Sequence, residues 1–554
     1  MKISRVGLIG CYLNLIISPS VLAVCADSTI HLDLDKENQV AYPIGFSSYI
    51  MPQQDKQTLV FETLNPQNPS IVDFMDSVGF ALWTLPNAND ETTHCLDDDV
   101  SFGNYVHCID DYFNASGQKP YPNAYYKGKL EELIHFAEKA HQHHAKLAYG
   151  IMNVPYAFRR DGSIEGEGLQ DPEMYATWLA ARIYFVQEAL HQANPELHID
   201  YVDMSNEPDY LNSKPGSSGY ISPKQYEVVV QELRKILDEK GLAAIQLIGP
   251  NLSRLSGIPE EKDSGFSFVT NMGVTASSEL TMFGFHTWWN DATNTGQTDW
   301  TKQIQHIKSI YPDKPVIVSE FASIVGKDND NNGQWKYPTL QVEAAGDRLD
   351  PMCDAHYHYP DYPAGPGRPC MLSDLVSWGT TIANNIAQLY NANASQMLLW
   401  TGEDEDYNTF PLSFGMVRFD GTPRPFFYLI KGINQAFPVN AHIVSRSSDA
   451  GLGLYDPVQY EVTILIPNFT DKEKSVQIEG MPENASLRSA LYYSPSCFYS
   501  DAHDDNYWCA LEAKTSTQMT VPAYGVGLAR FNLTPEKTDI SWNNRHIGVR
   551  SNNP

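Results

Sequence analysis

Basic residues are scarce in this chain of 554: 38 Lys and Arg stand against 67 Asp and Glu, a formal net charge of -29. A surface so negative offers no positive field to a phosphate backbone or an anionic bilayer, which excludes nucleic acid and membrane surfaces as general partners. Cysteine is also sparse, at 8 residues, none in a Cys-x-x-C spacing, and this removes zinc-ribbon and dithiol redox chemistry. Neither G-x-S-x-G nor H-E-x-x-H occurs, so the serine-esterase elbow and the zinc-protease helix are missing. After the N-terminus no apolar run is long enough to span a bilayer.

What the chain does hold is core-forming material, with 42% hydrophobic residues and 12% aromatics, including 31 Tyr and 10 Trp. That is enough to fill a large domain and a smaller one. The N-terminus opens with Lys2 and Arg5, runs through the apolar "VGLIGCYLNLII", and reaches small residues in "SPSVLAVCADS" suited to cleavage after Ala23 or Ala26. Residues 1–26 are therefore expected to be an export signal, which places the mature protein outside the cell or in the periplasm with no membrane span. Cys25 follows Val24 rather than a small residue, which argues against lipidation there. Six cysteines lie beyond the signal as three sequence-near pairs, Cys95 with Cys108, Cys353 with Cys370 and Cys497 with Cys509. In an oxidising compartment short closed loops are the simplest connectivity, so three local disulfides are expected.

From about residue 40 to 437, short apolar runs alternate with amphipathic helical stretches, the pattern of repeated βα units. Eight strand candidates stand at 41–49, 79–86, 145–154, 199–207, 244–252, 281–289, 315–323 and 396–404. Eight such units close into a (β/α)8 TIM barrel, α/β in class. After residue 437 the helical period vanishes, and strand-like runs such as "YEVTILIPNF" and "LRSALYYS" are separated by Asn, Gly, Pro and Asp clusters. This reads as a C-terminal β-sandwich over 438–535, with "TIHLDLD" near residue 30 a candidate to join it and 536–554 a polar tail. The barrel then occupies 27–437.

A barrel of this type builds its site at the C-terminal ends of the strands. The fourth run ends in Asn206-Glu207-Pro208 and the seventh in Ser319-Glu320-Phe321. Two carboxylates brought to one barrel mouth are the minimal apparatus for hydrolysing a glycosidic bond: one protonates the leaving oxygen, and the other attacks or shields the oxocarbenium-like centre. Asn-Glu-Pro at the end of strand four with a second Glu ending strand seven resembles the clan A retaining glycoside hydrolases, and a barrel followed by a sandwich is most like families 30 and 39, with family 5 sharing the motif. The resemblance implies that Glu207 is the acid/base, Glu320 the nucleophile, and Asn206 a partner for the sugar 2-hydroxyl. It also implies retention, with the carboxyl groups about 5 to 5.5 Å apart. An ionised Glu320 is expected to raise the pKa of Glu207, which would keep the acid protonated before reaction.

Other strand ends supply candidates for substrate binding: His286 and Trp288 on the sixth run, Trp400 on the eighth, Asn153 on the third and Trp83 on the second. Each is also a plausible packing residue. Many clan members carry an Arg at the end of strand two, and "LWTLPNAND" has none. "DNDNNG" spaces Asp328, Asp330 and Asn332 like a calcium loop, but Thr339 stands where a bidentate Glu would close it, so a solvated acidic turn is the plainer reading. No cofactor is required. The function expected is a secreted retaining glycoside hydrolase that cleaves β-linked polysaccharide or oligosaccharide, endo-acting on a polymer. The alternative is a carbohydrate-binding or adhesion protein on an inactive barrel.

Overall fold

The computed structural model describes residues 27–35, 40–48, 54–64, 70–75, 101–114, 123–151, 154–155, 158–159, 168–209, 220–253, 265–287, 300–321, 353–354, 368–369, 375–403, 405–407, 410–412, 415–418, 421–446, 449, 451–468, 470–511, 513–515 and 517–534. Strand β1 (Ser28–His31) precedes seven barrel strands: β2 (Gly45–Ser48), β3 (Ile71–Met75), β4 (Lys146–Gly150), β5 (Tyr201–Asp203), β6 (Gln246–Leu252), β7 (Leu280–His286) and β8 (Val316–Phe321). The short β9 (Cys353–Asp354) and β10 (Arg368–Pro369) pair with each other, and β11 (Gln396–Trp400) is the eighth barrel strand. All barrel pairings are parallel, and β11 closes the ring by pairing with both β2 and β8.

Seven of the eight expected strands coincide with barrel strands, and the second does not. The barrel's second strand is Ile71–Met75, paired between β2 and β4, whereas 79–86 lies outside the described residues. The physical reason is Asp73. Parallel strands buried on both faces are recognised as unbroken apolar runs, and an acid in the middle of "IVDFM" breaks the run. Trp83 is therefore not on strand two.

Helices sit between the strands where the caps and periods allow. Helix Pro172–Ala193 opens on Asp171, whose side chain accepts from the Met174 N–H, with Pro172 in the first turn. Helix Pro223–Glu239 opens on a capping box in which Ser222 and Gln225 each satisfy the other's backbone N–H. Among the described residues no helix is long and apolar enough to cross a membrane.

The barrel lumen is layered. Ile71, Ala148, Ile248, Met282, Ile317 and Leu398, from six different strands, form an apolar cluster of their own with Tyr201 packed against it. Side chains two residues further along each strand share that inward face one step nearer the C-terminal mouth. This next tier is Asp73, Gly150, Asp203, Pro250, Gly284, Ser319 and Trp400, so two acids and a serine enter the lumen one layer above an apolar one.

Beyond the barrel, β12 (Glu405–Tyr407) and β13 (Phe410–Leu412) form a hairpin. The remaining strands are β14 (His442–Ile443), β15 (Leu452–Asp456), β16 (Glu461–Asn468), β17 (Lys474–Glu479), β18 (Ser486–Tyr493), β19 (Cys509–Ala510), β20 (Ala513–Thr515), β21 (Gln518–Val521) and β22 (Gly525–Asn532). They make a six-stranded sheet, β14-β15-β16-β22-β18-β19, facing a four-stranded sheet, β1-β17-β21-β20. Residues 28–31 run parallel to β17, which ties the start of the described chain to its end. Val462, Ile464 and Ile466 of β16 belong to the core between the sheets, while Leu465 joins the barrel's core. The larger sheet is thus covered on both faces, which explains the continuous apolar run "EVTILI". A disulfide joins Cys497 and Cys509. Cys108, on helix Phe102–Asn114, is disulfide-bonded. Cys95 and Cys370 lie outside the described residues, and of Cys353 only the backbone is described.

Candidate active site

Glu207 follows β5 by four residues and has φ 46°, in the left-handed region that a residue with a Cβ rarely adopts. The conformation is held from both sides: the Glu207 N–H donates to the Asn251 carbonyl at 3.0 Å, and the Ile221 N–H donates to the Pro208 carbonyl at 3.0 Å. Strain of this kind costs about 1–3 kcal/mol and persists where the surroundings over-determine it, commonly at functional sites. Its effect is to turn the carboxylate back over the lumen, where Glu207 Oε1 lies 3.0 Å from His286 Nδ1.

Glu320 arrives at the same nitrogen from the neighbouring strand. Its Oε2 is 3.3 Å from His286 Nδ1. A register shift between Phe285 and His286 on β7 brings His286 opposite Glu320. Because both carboxylate oxygens contact one atom, they can lie no farther apart than the two distances combined, about 6.3 Å. The His286 side chain is 1% exposed, that of Glu320 6% and that of Glu207 15%, so exposure grows toward the mouth.

The electrostatics follow from burying three acids around one imidazole. Burial alone would strip the proton from His286, but Glu320 and Glu207, with Asp203 behind them, raise it to about 9. Burial pushes Asp203 up to about 7, against the opposing pull of His286 and of the Ser205 N–H. Burial also pushes Asp73 well above the ordinary carboxylate range, and the charges of Asp203 and Glu320 add to the effect.

Supporting contacts fix the walls. Ser319 Oγ donates to Asn251 Oδ1 at 2.6 Å, tying β8 to β6 beside Glu320. Gly284 on β7 has to lack a side chain, since a Cβ there would overlap Asn251 Oδ1 and stand 3.3 Å from Ser319 Oγ. Gly284→Ala is accordingly expected to destabilise the protein by roughly 1–3 kcal/mol, read as a lower midpoint in urea or thermal unfolding. Asp209, beyond Pro208, accepts from the Ser253 N–H at 2.8 Å and the Gly265 N–H at 3.2 Å and pins the βα loop after β5.

Of the sequence candidates, Glu207, Glu320 and His286 are brought together. Asn206 is buried next to Glu207 in the chain, and Trp400 is buried at the end of β11 in register with Ser47, followed by a cis peptide to Thr401. Trp288, Asn153, Trp83 and the calcium candidates Asp328, Asp330 and Asn332 lie outside the described residues. Sequence reasoning missed Asp73, Asp203, Asn251 and Ser319. The available signal was an acid two residues after an apolar lumen position, Ile71 then Asp73 and Tyr201 then Asp203, which would have marked the polar tier.

By sequence, the chain matches no protein-family model and no curated protein. Its fold does match solved structures. A conserved exported protein from Bacteroides fragilis aligns with a TM-score of 0.57 at 12% identity, over 91% of this chain and 100% of that one. A GH30 endoxylanase from Clostridium papyrosolvens gives a TM-score of 0.53 at 12% identity over 91% and 100%. The glycoside hydrolase family 30 subfamily 8 xylanase from Clostridium acetobutylicum gives 0.52 at 11% identity over 91% and 99%. Across nearly its whole length, then, this chain has the (β/α)8 barrel and trailing β-sandwich seen in those structures.

Proposed function

We propose that this protein is a secreted retaining glycoside hydrolase of the clan A type, acting on β-linked polysaccharide or oligosaccharide. The observation that carries the reading is the convergence of Glu207, which follows β5, and Glu320, on β8 three strands further round the ring, on one imidazole nitrogen. Inverting enzymes need a water between the reacting carboxylates and hold them roughly 6.5–9.5 Å apart, whereas double displacement uses about 5–5.5 Å. The bound of about 6.3 Å between the two oxygens supports the second. Two xylanases of the same fold support the substrate class and make xylan the first polymer to try.

In this reading Glu320 attacks the anomeric carbon while Glu207 protonates the departing oxygen. His286 makes that proton available. An imidazolium between two carboxylates and a neutral imidazole beside a protonated Glu207 hold the same number of protons, and they differ by a transfer along the 3.0 Å hydrogen bond. When Glu320 becomes an ester its charge is gone, and Glu207 takes a proton from the incoming water. Asn206 serves the sugar 2-hydroxyl, and Trp400 forms the floor beneath the ring whose bond is broken. Trp288, Asn153 and Trp83 remain candidates for the substrate cleft. No cofactor enters any step. Residues 1–26 direct export, 27–437 carry the catalytic barrel apart from β1, which belongs to the sandwich formed by 438–535, and 536–554 are the tail.

The test is hydrolysis of xylan, β-glucan, β-galactan and agar-type polymers by purified protein, with proton NMR of the first products. Release of oligosaccharides whose new reducing ends keep the β configuration is expected. Initial α products would overturn retention. Binding without release of any reducing sugar would favour the inactive-barrel alternative.

A further inference from the structure

Of the two acids in the polar tier of the lumen that the double displacement does not use, Asp203 accepts from the Ser205 N–H, and Asp73 stands apart. Asp73 is 1% exposed, and among the described residues neither of its carboxylate oxygens has a hydrogen-bond partner. It shares the inward face of β3 with Ile71, one step nearer the mouth. On one side it is in register with Ser47, whose buried hydroxyl also has no partner among the described residues, and on the other with Ala148. Beyond Ala148 and Gly150, Asp203 is presented by β5. The strand between the two acids carries only a methyl group and a hydrogen on this face, so nothing bulky separates them. Among the described residues, the charges that act on Asp73 are those of Asp203 on β5, Glu320 on β8 and His286 on β7.

We propose that Asp73 is a positioning residue of this site: it keeps a proton in the lumen and offers a neutral carboxylic O–H beneath the Glu320–His286 pair. The reason is charge. Ionised Asp73 would add a third buried negative charge to those of Asp203 and Glu320, with His286 as the cation facing them, and a buried carboxyl without a counter-charge takes up a proton instead. Burial and its two acidic neighbours push Asp73 in that direction. A protonated carboxyl also differs from an ionised one in being a hydrogen-bond donor. With no donor among the described residues reaching its oxygens, the Asp73 carboxyl can gain a hydrogen bond only by donating this O–H, which would orient a neighbouring carboxylate without competing for the proton on His286. The inference rests on reading Glu320 and Glu207 as the reacting pair, but its central claim, the protonation of Asp73, can be measured without any substrate.

Two measurements decide it. Infrared difference spectra of wild type minus Asp73→Asn at pH 8 are expected to show a protonated-carboxyl C=O band that is absent from the variant. Absence of that band overturns the proposal, even if the protein proves to cleave no glycan. In kinetics on a cleaved glycan, Asp73→Asn is neutral and still a donor. Its kcat is expected to stay within about threefold of wild type, with the alkaline limb of the pH profile unmoved. Asp73→Ala removes the donor and is expected to lose about 10-fold or more in kcat at unchanged KM. If Asp73 were ionised in the working enzyme, Asp73→Asn would take a negative charge away from His286. The alkaline limb would then move to lower pH by about one pH unit, which would sink the proposal. A structural role alone would leave both limbs in place and lower only the melting temperature of Asp73→Ala. Should Asp73→Ala fail to fold, the infrared band and the Asp73→Asn profile still decide the matter.

Discussion

Glu320→Gln is expected to fold normally and to lower kcat by roughly 10⁴-fold or more. The substitution keeps the volume of a side chain that is almost fully buried on β8, so the β8 packing and the Ser319–Asn251 hydrogen bond should survive. What it removes is the proposed nucleophile. It also removes the largest of the charges that hold the proton on His286, so whatever residual activity remains is expected to fail at lower pH than in wild type. Glu207→Ala should behave differently. With an unactivated glycan the loss is expected to be about 10²–10⁴-fold, but an aryl glycoside with a good leaving group needs no proton at the first step and should still form the glycosyl-enzyme. Added azide is then expected to restore turnover and yield a glycosyl azide with the configuration of the substrate, because a small anion can attack where the general base is missing. Rescue of Glu320→Ala by azide should instead give the inverted product. If both variants keep wild-type activity on every cleaved glycan, or if the azide products carry the opposite configurations, the roles assigned to these two residues are wrong.

The barrel was legible in the sequence because its strands are covered on both faces, so each reads as a short apolar run bounded by breakers, and the helices between them keep a helical period. The one strand misplaced, Ile71–Met75, fails that test at the residue that gives it interest. Asp73 looks like a break in the core until the fold places it in the lumen. The same logic hid Asp203 inside "IDYVDMSNE", where it passes as an incidental acid. Glu207 and Glu320 could be read directly because strand ends in this architecture face one opening. The positive φ of Glu207 and the bulge that turns His286 toward Glu320 could not, since both are set by contacts with Asn251 and with the neighbouring strand that no local pattern announces. Sandwich strands were found as runs, but their assignment to sheets was not legible: Gln518–Val521 and Gly525–Asn532, only three residues apart, are β21 and β22 in different sheets. The turn at Pro522-Ala523-Tyr524 carries the chain from one layer to the other, with Tyr524 at φ 47°.

Buried protons also make the stability of this fold depend on pH, and the sign is fixed by three groups. Burial raises Asp209 from 3.8 to about 7, with the charge of Glu207 adding to it and the N–H groups of Ser253 and Gly265 opposing it. An unfolded chain gives up this proton near 3.8 while the native protein keeps it to about 7, so between those values the native state binds more protons and stability falls as pH rises. Asp203, raised by burial over the same range, acts in the same direction. His286 titrates near 6.5 when unfolded and at about 9 in the fold, so its stabilisation is complete below 6.5 and is lost as pH climbs through 9. A tenfold change in proton affinity is worth about 1.4 kcal/mol. Carrying the Asp209 carboxyl from 3.8 to about 7 therefore corresponds, by itself, to about 4 kcal/mol between pH 4 and 8. Asp209→Asn isolates it. The amide still accepts one N–H, at 2.8 Å in the native geometry, but it turns an NH2 toward the remaining donors, so the variant is expected to be less stable in acid, by about 1–3 kcal/mol. That deficit does not vary with pH, whereas the advantage of wild type does. Thermal unfolding from pH 4 to pH 8 should therefore show the gap between wild type and Asp209→Asn closing, and then reversing, as Asp209 is forced to ionise. A gap that stays constant or widens would mean that Asp209 is already charged in the native protein, held by its two backbone donors rather than neutralised by burial.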